Sequence, residues 1–175
     1  MANSALSGNT SGLATATSPG LVGTGAQTFA GKKTLDGGAL IKGDTSGVAI
    51  AAGYVGEVFQ INGSSAALST SIINLASQAV TPGTYFVTAQ AQILTGSSAL
   101  TYLGVGTSVT SAAFEANSRY EISAGFNNNP SFQISGKIYY ITSNSTIYLV
   151  GQVAGTVGTG TWYSAGSRLT IIRLF

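Results

Sequence analysis

The clearest strand pattern in the chain is TPGTYFVTAQAQIL, residues 81–94, in which a Thr-Pro-Gly turn leads into strict alternation. One face carries Tyr85, Val87, Ala89, Ala91 and Ile93. The other face carries Thr84, Thr88, Gln90 and Gln92, together with Phe86. Because successive side chains of a strand point to opposite faces, this pattern predicts a strand over residues 84–94 with one face in a core.

Similar strand patterns, separated by turn residues, run outward from this segment to the C-terminus. Between residues 131 and 142, Phe132, Ile134, Ile138 and Tyr140 are expected to share one face. The C-terminal segment has no polar tail, which predicts a central strand or one buried between subunits. The other predicted strands are Glu57–Ile61 (ended by Asn62-Gly63), Ser71–Leu75, Leu100–Thr107, Arg119–Ala124, Thr146–Val153 and Ser167–Phe175.

About eight strands with regular turns are typical of a sandwich or barrel. Glycine is frequent, at 24 residues, and no window long enough for a helix shows a helical period. We therefore expect an all-β fold, an antiparallel β-sandwich of the jelly-roll kind over residues 54–175. The low-complexity residues 1–20 predict an extended arm, and residues 21–53 a connector with one or two short strands.

The composition excludes several classes of function. The chain has no cysteine and no histidine, which removes disulfides, the usual zinc sites, cysteine nucleophiles and Ser-His-Asp triads. Seven basic residues against five acidic ones give a net charge of +2, too dispersed for a nucleic-acid partner. No apolar run is long enough for membrane insertion, and the N-terminus lacks the features of a signal peptide, which predicts synthesis in a cytoplasm.

Residues 23–44 contain a glycine-flanked lysine pair, Lys32-Lys33, and at first sight resemble a phosphate-binding loop. The motif fails on inspection, because Gly25 precedes Gly31 by one residue too many and Lys33 stands where Ser or Thr should bind magnesium. No apolar strand leads in and no helix pattern follows. A solvated turn between short strands is the better interpretation, and no cofactor is expected.

Acid–base catalysis is not expected either. A glycosidase needs two carboxylates placed across a sugar, and no such pair is singled out among the five acidic residues. Glu115 and Glu121 flank Arg119, so an ion pair is the simpler interpretation. We predict no catalytic, cofactor-binding or metal-binding residues and no enzymatic activity.

Aromatic residues in predicted loops could form a glycan-binding surface, since aromatic faces stack on sugars. Trp162, in the loop predicted for residues 155–166, is the best exposed candidate, although packing or a subunit contact is favoured for it. In each adjacent aromatic pair, one residue is expected to point inward. The candidate glycan contacts are Phe126, Asn128, Trp162 and Tyr163.

Two regions resemble proteins of tailed bacteriophages. Residues 16–44, ATSPGLVGTGAQTFAGKKTLDGGALIKGD, resemble fibre connector segments of the form T-x-P-G-x-V-x-x-x-x-Q-T-F-x-G-x-K-T-F, with Leu35 in place of the usual Phe. The strands TPGTYFVTAQAQI (81–93) and STIYLVGQVAGTVG (145–158) resemble those of the β-sandwich knobs that end such fibres and that also occur on trimeric capsid decoration proteins.

The resemblance implies a homotrimeric capsid decoration (cement) protein on the virion surface, made in the cytoplasm of a bacterial host. The N-terminal arm would bind the major capsid protein or another virion protein, and the knob would point outward, where it could aid adhesion. Threefold association would also bury one sandwich face and let three connectors share a core. The alternative is a short tail fibre or receptor-binding tip that contacts a host surface glycan. Candidate attachment and trimer-connector residues are Leu21, Val22, Phe29, Lys32, Lys33, Leu35, Leu40 and Ile41.

Overall fold

The computed structural model of the chain describes residues 55–123 and 129–175. These ranges fold into an antiparallel β-sandwich, as the alternating patterns predict. One 3₁₀ turn, Ser164–Gly166, interrupts the strands. The strands are β1 (Val58–Asn62), β2 (Ile73–Val80), β3 (Gly83–Leu94), β4 (Ala99–Ser108), β5 (Arg119–Ile122), β6 (Ser131–Ile141), β7 (Ser145–Thr156), β8 (Thr161–Trp162) and β9 (Arg168–Arg173).

The strands form two sheets that pack face to face. Sheet 1 has the order β1-β9-β3-β6, and the short β8 pairs with the end of β3 beyond β9. Sheet 2 has the order β2-β7-β4-β5. Every pairing between these strands is antiparallel. Chain neighbours such as β2 and β3 lie in different sheets, so the core is closed by contacts between residues distant in sequence.

The core fills the space between the sheets, and β3 supplies one of its walls. Tyr85, Val87, Ala89, Ala91 and Ile93 are all buried, which confirms the face predicted from alternation. Sheet 2 contributes an apolar face of its own, so each sheet buries one face against the other. The sheet 2 residues of this core include Leu75, Leu103, Val105, Ile147, Leu149 and Val153.

The C-terminal strand β9 is central, one of the two positions that its apolar sequence predicts. It lies between β1 and β3, with Phe59 opposite Ile171 and Val87 opposite Ile171 on the two sides. Leu169 and Ile171 are fully buried. The strand is therefore paired along both of its edges and contributes two side chains to the core.

Strand β6 departs from the prediction that Phe132, Ile134, Ile138 and Tyr140 share one face. The first two are buried in the core, but Ile138 and Tyr140 are exposed and Tyr139 is buried instead. The register explains the change, because Ala89 pairs with Ile134 whereas Val87 pairs with Lys137. This β-bulge puts an extra residue into β6 and inverts its alternation from there on.

Two further boundaries differ from the predicted ones. The second predicted strand, Ser71–Leu75, continues to Val80 as β2, since a register shift between Asn74 and Ala76 lets the pairing with β7 resume. Trp162, expected in a loop, lies in β8 and pairs with Ile93 of β3.

Several predictions concern residues outside the described ranges. These are the arm (1–20), the connector (21–53) and its candidate residues, and two glycan candidates, Phe126 and Asn128. In the described part of the chain, no helix has the length and apolar character needed to cross a membrane.

Candidate functional site: the open outer face of sheet 1

An apolar row crosses the outer face of sheet 1 near the C-terminal end of β9. Val58 of β1 pairs with Ile172 of β9, Ile172 pairs with Phe86 of β3, and Phe86 pairs with Ile138 of β6. Directly opposed residues of an antiparallel pair point to the same face, so these four side chains lie side by side. We call Val58, Phe86, Ile138 and Ile172 the apolar row.

The apolar row is open to solvent in the single chain. Val58 is 51% exposed and Ile138 is 44% exposed, and the adjacent Tyr140 is 78% exposed. The bulge in β6 creates this feature, because without the inverted alternation Ile138 and Tyr140 would point into the core. A contiguous exposed apolar patch of this kind usually marks a contact surface.

The remainder of the same face is polar. One step along the strands from the apolar row, Gln60 pairs with Thr170 and Thr170 with Thr88. One step further lies a row of Asn62, Arg168, Gln90 and Gln133, again joined pair by pair. We call these two rows the polar half of the face.

Part of the outer face of sheet 2 is covered by the chain itself. The loop of residues 109–118, here called the crossing loop, leaves β4 and reaches across to β2. There Asn74 Nδ2 donates to Ser111 Oγ at 2.8 Å, and the Ala112 N–H donates to Asn74 Oδ1 at 2.8 Å. The second bond holds Ala112 at a φ of 49°, a left-handed conformation that alanine rarely adopts.

The crossing loop then returns over the sheet and places Phe114 on β4. A Cβ at Gly106 would lie 3.2 Å from Phe114 Cδ1, so the ring occupies space that a side chain there would fill. Val150 pairs with Gly106 and is fully buried, although it lies on this outer face. The crossing loop therefore covers part of the outer face of sheet 2, whereas the outer face of sheet 1 is the open one.

The crossing loop is fastened to sheet 1 by an ion pair. Lys137 Nζ of β6 donates to Glu115 Oε2 at 2.7 Å, while the Val109 N–H donates to Glu115 Oε1 at 2.6 Å. Burial alone would raise the pKa of the Glu115 carboxyl, but the bonds from Lys137 and Val109 outweigh it and hold that pKa below its ordinary value. Burial would likewise lower the pKa of Lys137, and the contacts with Glu115 and Tyr139 raise it instead.

We expect Glu115→Gln to cost about 1–2 kcal/mol of unfolding free energy at pH 7, since charge-assisted hydrogen bonds are lost. A lowered folded-state pKa adds stability that is complete above the ordinary glutamate value of 4.5 and fades as the pH falls through the folded value. The difference between wild type and variant should therefore shrink in acid. Urea titrations between pH 3 and 8 measure it.

Glu121→Gln is the matched control. Glu121 pairs with Arg119 and accepts a 2.7 Å hydrogen bond from the Tyr102 hydroxyl, but this cluster is exposed. Exposed pairs contribute about 0–1 kcal/mol, so the control should lose less than Glu115→Gln and show little change with pH. Equal losses at both positions would contradict the role given to Glu115.

The carboxylates that flank Arg119 in sequence are thus separated in space. Arg119 pairs with Glu121, which confirms the ion pair predicted in this segment, whereas Glu115 pairs with Lys137. Beside them a surface cleft of about 400 Å³ is lined by Phe114, Asn117, Arg119 and Glu121 among others. The two exposed charged residues of this cleft, Arg119 and Glu121, form an ion pair with each other. The cleft therefore offers no unpaired charge to a ligand.

Trp162 is not available for glycan contact, and its selection as the best exposed candidate is wrong. The indole is fully buried. Pairing of β8 with β3 turns this residue inward and its neighbour Tyr163 outward, at 37% exposure, as the rule for adjacent aromatic pairs predicts. The favoured alternative for Trp162, packing, is the one observed.

The residues of the open face were missed as candidates, although the sequence held a partial signal. Phe86 stands among threonine and glutamine on the polar side of β3, which marks an apolar side chain on an outer face. The pairing with Ile172 and Ile138 across three strands could not be read from the sequence.

No family model matches the chain, and no curated protein is significantly similar to it. The open face of sheet 1 and the sequence resemblance are therefore the two features that bear on function.

Proposed function

We propose that the chain is a structural protein of a tailed-bacteriophage virion, a homotrimeric capsid decoration (cement) protein. Its N-terminal residues would attach to the major capsid protein or another virion protein. The β-sandwich would be displayed on the outside of the capsid, where it could also aid adhesion to the host. The resemblance of residues 16–44 and of the β3 and β7 sequences supports this assignment.

The apolar row is the structural observation that best supports the proposed association of three copies. It lies on the open face, and it includes Ile172 of the C-terminal strand that the sequence assigns to a buried position. Burying an apolar side chain of this size contributes roughly 1.5–3 kcal/mol when it is fully exposed beforehand. Three copies that turn this row toward a common axis would each gain part of that amount.

The row also lies near the start of the described part of the chain. Val58 is in the first strand, β1, and the described residues begin at residue 55. Contact between rows of neighbouring copies would bring their β1 strands close together, which suits connectors that share a core.

Copy number in the virion tests the assignment to the capsid. Quantitative mass spectrometry of purified particles should find hundreds of copies if the protein decorates the shell. A few dozen copies or fewer would assign it to a tail fibre and contradict the decoration proposal.

Removal of residues 1–44 is expected to abolish attachment to the virion and to leave a folded trimeric sandwich, because the core and the apolar row lie in the described ranges after residue 54. Light scattering gives the mass of the truncated protein, and sedimentation with capsids lacking the protein gives attachment. A truncated protein that is unfolded or monomeric would contradict this division of roles.

The second candidate is a short tail fibre or receptor-binding tip. It is favoured by the polar half of the open face, where amide, hydroxyl and guanidinium groups are accessible together. Under this alternative the same surfaces would meet a host glycan, and the copy number would be low.

A further inference from the structure

A small polar pocket lies in the polar half of the open face. Its volume is about 120 Å³, and it is lined by Thr88, Gln90, Gln133, Arg168 and Thr170, together with Ala89. The register brings these residues together from three strands, with Arg168 opposite Gln90, Gln90 opposite Gln133, and Thr88 opposite Thr170.

The bulge in β6 explains why a depression forms here. The pairing passes from Val87–Lys137 to Ala89–Ile134, so Thr88 has no register partner on β6. At this point two residues of β6, Ser135 and Gly136, lie opposite the single residue Thr88, so the regular spacing of side chains on the outer face is interrupted.

Arg168 is the described cation that the fold leaves unmatched. Arg119 and Lys137 form ion pairs with Glu121 and Glu115. Arg173 donates to Thr81 Oγ1, the Tyr85 hydroxyl and the Pro82 carbonyl at 2.6–2.8 Å. Arg168 is exposed, its side chain makes no hydrogen bond or ion pair within residues 55–123 and 129–175, and no carboxylate lies beside it in the pocket.

We propose that this pocket binds the carboxylate of an acidic saccharide. A guanidinium presents parallel N–H groups that match a carboxylate in bidentate fashion. The glutamine amides and threonine hydroxyls beside it can both donate and accept, which suits the hydroxyl groups of a sugar ring. The neighbouring Gln60 and Asn62 extend the same chemistry along β1.

The same surroundings favour a saccharide over an acidic peptide. The described lining of the pocket supplies amide, hydroxyl and guanidinium groups and no large apolar side chain, so it offers more contacts to the hydroxyl groups of a sugar than to the apolar part of a peptide. Saccharide binding here does not depend on the capsid decoration role, and it deepens the second candidate function, which also places a glycan on the polar half of the open face. Copy number in the virion tests the role, whereas binding to the isolated protein tests the pocket.

Calorimetric titration of the full chain with tetragalacturonate tests the proposal, and its methyl ester serves as the uncharged ligand. The acid should bind and weaken as salt is added, and the ester should bind at least tenfold more weakly. Arg168→Gln should lower the affinity for the acid at least tenfold. Arg119→Gln, which removes an arginine of the other sheet, should leave it unchanged.

Several results would overturn the proposal: no binding of the acid, equal binding of acid and ester, or equal effects of the two arginine variants. Tighter binding of an acetylated, amidated glutamate peptide would assign the pocket to a protein partner instead. Circular dichroism checks that Arg168→Gln is folded, and Gln133→Ala gives a second variant that should weaken binding of the acid.

Discussion

Trp162→Ala is expected to lose about 3–5 kcal/mol of unfolding free energy, the usual cost of truncating a large buried aromatic side chain. Domains of this kind are stabilised by only about 5–15 kcal/mol in total, so the variant should be close to unfolding at room temperature. Urea denaturation followed by circular dichroism measures the loss, because the substitution removes the only tryptophan in the chain.

The position of the indole explains the size of this effect. Trp162 reaches across the sandwich, and a Cβ at Gly151 of β7 would lie 2.5 Å from Trp162 Cζ2 and 2.9 Å from Leu75 Cδ1. Its backbone is fixed from both sides by pairing with Ile93 and by donation of its N–H to the Ala66 carbonyl at 2.8 Å. Truncation would leave a cavity that these rigid neighbours cannot fill.

Two variants control this prediction. The Trp162 Nε1–H is buried without a partner among the described atoms, and leaving a donor unpaired costs about 1–3 kcal/mol. Trp162→Phe removes that donor and keeps an aromatic ring, so it should cost much less than alanine. Tyr163→Ala truncates the outward neighbour and should change stability by less than about 1 kcal/mol. Similar losses at Trp162 and Tyr163 would contradict the assignment of the indole to the core.

Ile138→Asp is expected to convert the proposed trimer into monomers, a threefold fall in mass. It places a charge at the β6 end of the apolar row, where association would have to bury it without a partner. The side chain is 44% exposed in the single chain, so folding itself should change little. Light scattering and sedimentation velocity at micromolar concentration measure the mass.

Gln133→Asp is the matched control for this substitution. It adds the same charge to the same strand and the same outer face, but outside the apolar row. The mass should stay that of the trimer. A wild-type protein that is monomeric, or an Ile138→Asp variant that remains trimeric, would show that the row is not the contact between copies.

The two outer faces differ for a reason that bears on both proposals. Part of the outer face of sheet 2 is covered by the crossing loop, through Phe114 and the hydrogen bonds to Asn74. In the described part of the chain, no loop covers the outer face of sheet 1. This face presents the apolar row and the unpaired side chain of Arg168, which lies four residues before Ile172 along β9. One face of the sandwich is therefore available for contact between copies and for a ligand.

Alternation along the chain was sufficient to predict much of the fold. The inward face of β3 and the antiparallel sandwich follow from where apolar side chains recur, because a half-buried strand must place them at every second residue. For β9 the same pattern left two positions open, central in a sheet or buried between subunits. The ion pair of Arg119 follows from the closeness of opposite charges in sequence. These features depend on residues near one another along the chain.

The tertiary structure decided what depends on residues far apart. The bulge in β6 is set by its pairing with β3, and that single extra residue moves Ile138 and Tyr140 to the surface. The burial of Trp162 depends on β8 pairing with β3, and Arg168 joins Gln133 only through the order of β9, β3 and β6. The sequence by itself determined most of the strand segments and the inward face of β3, but not the strand β8 or the second half of β6. The pairing of those strands decided which apolar faces are hidden and which remain open, because register fixes the side on which every later side chain lies.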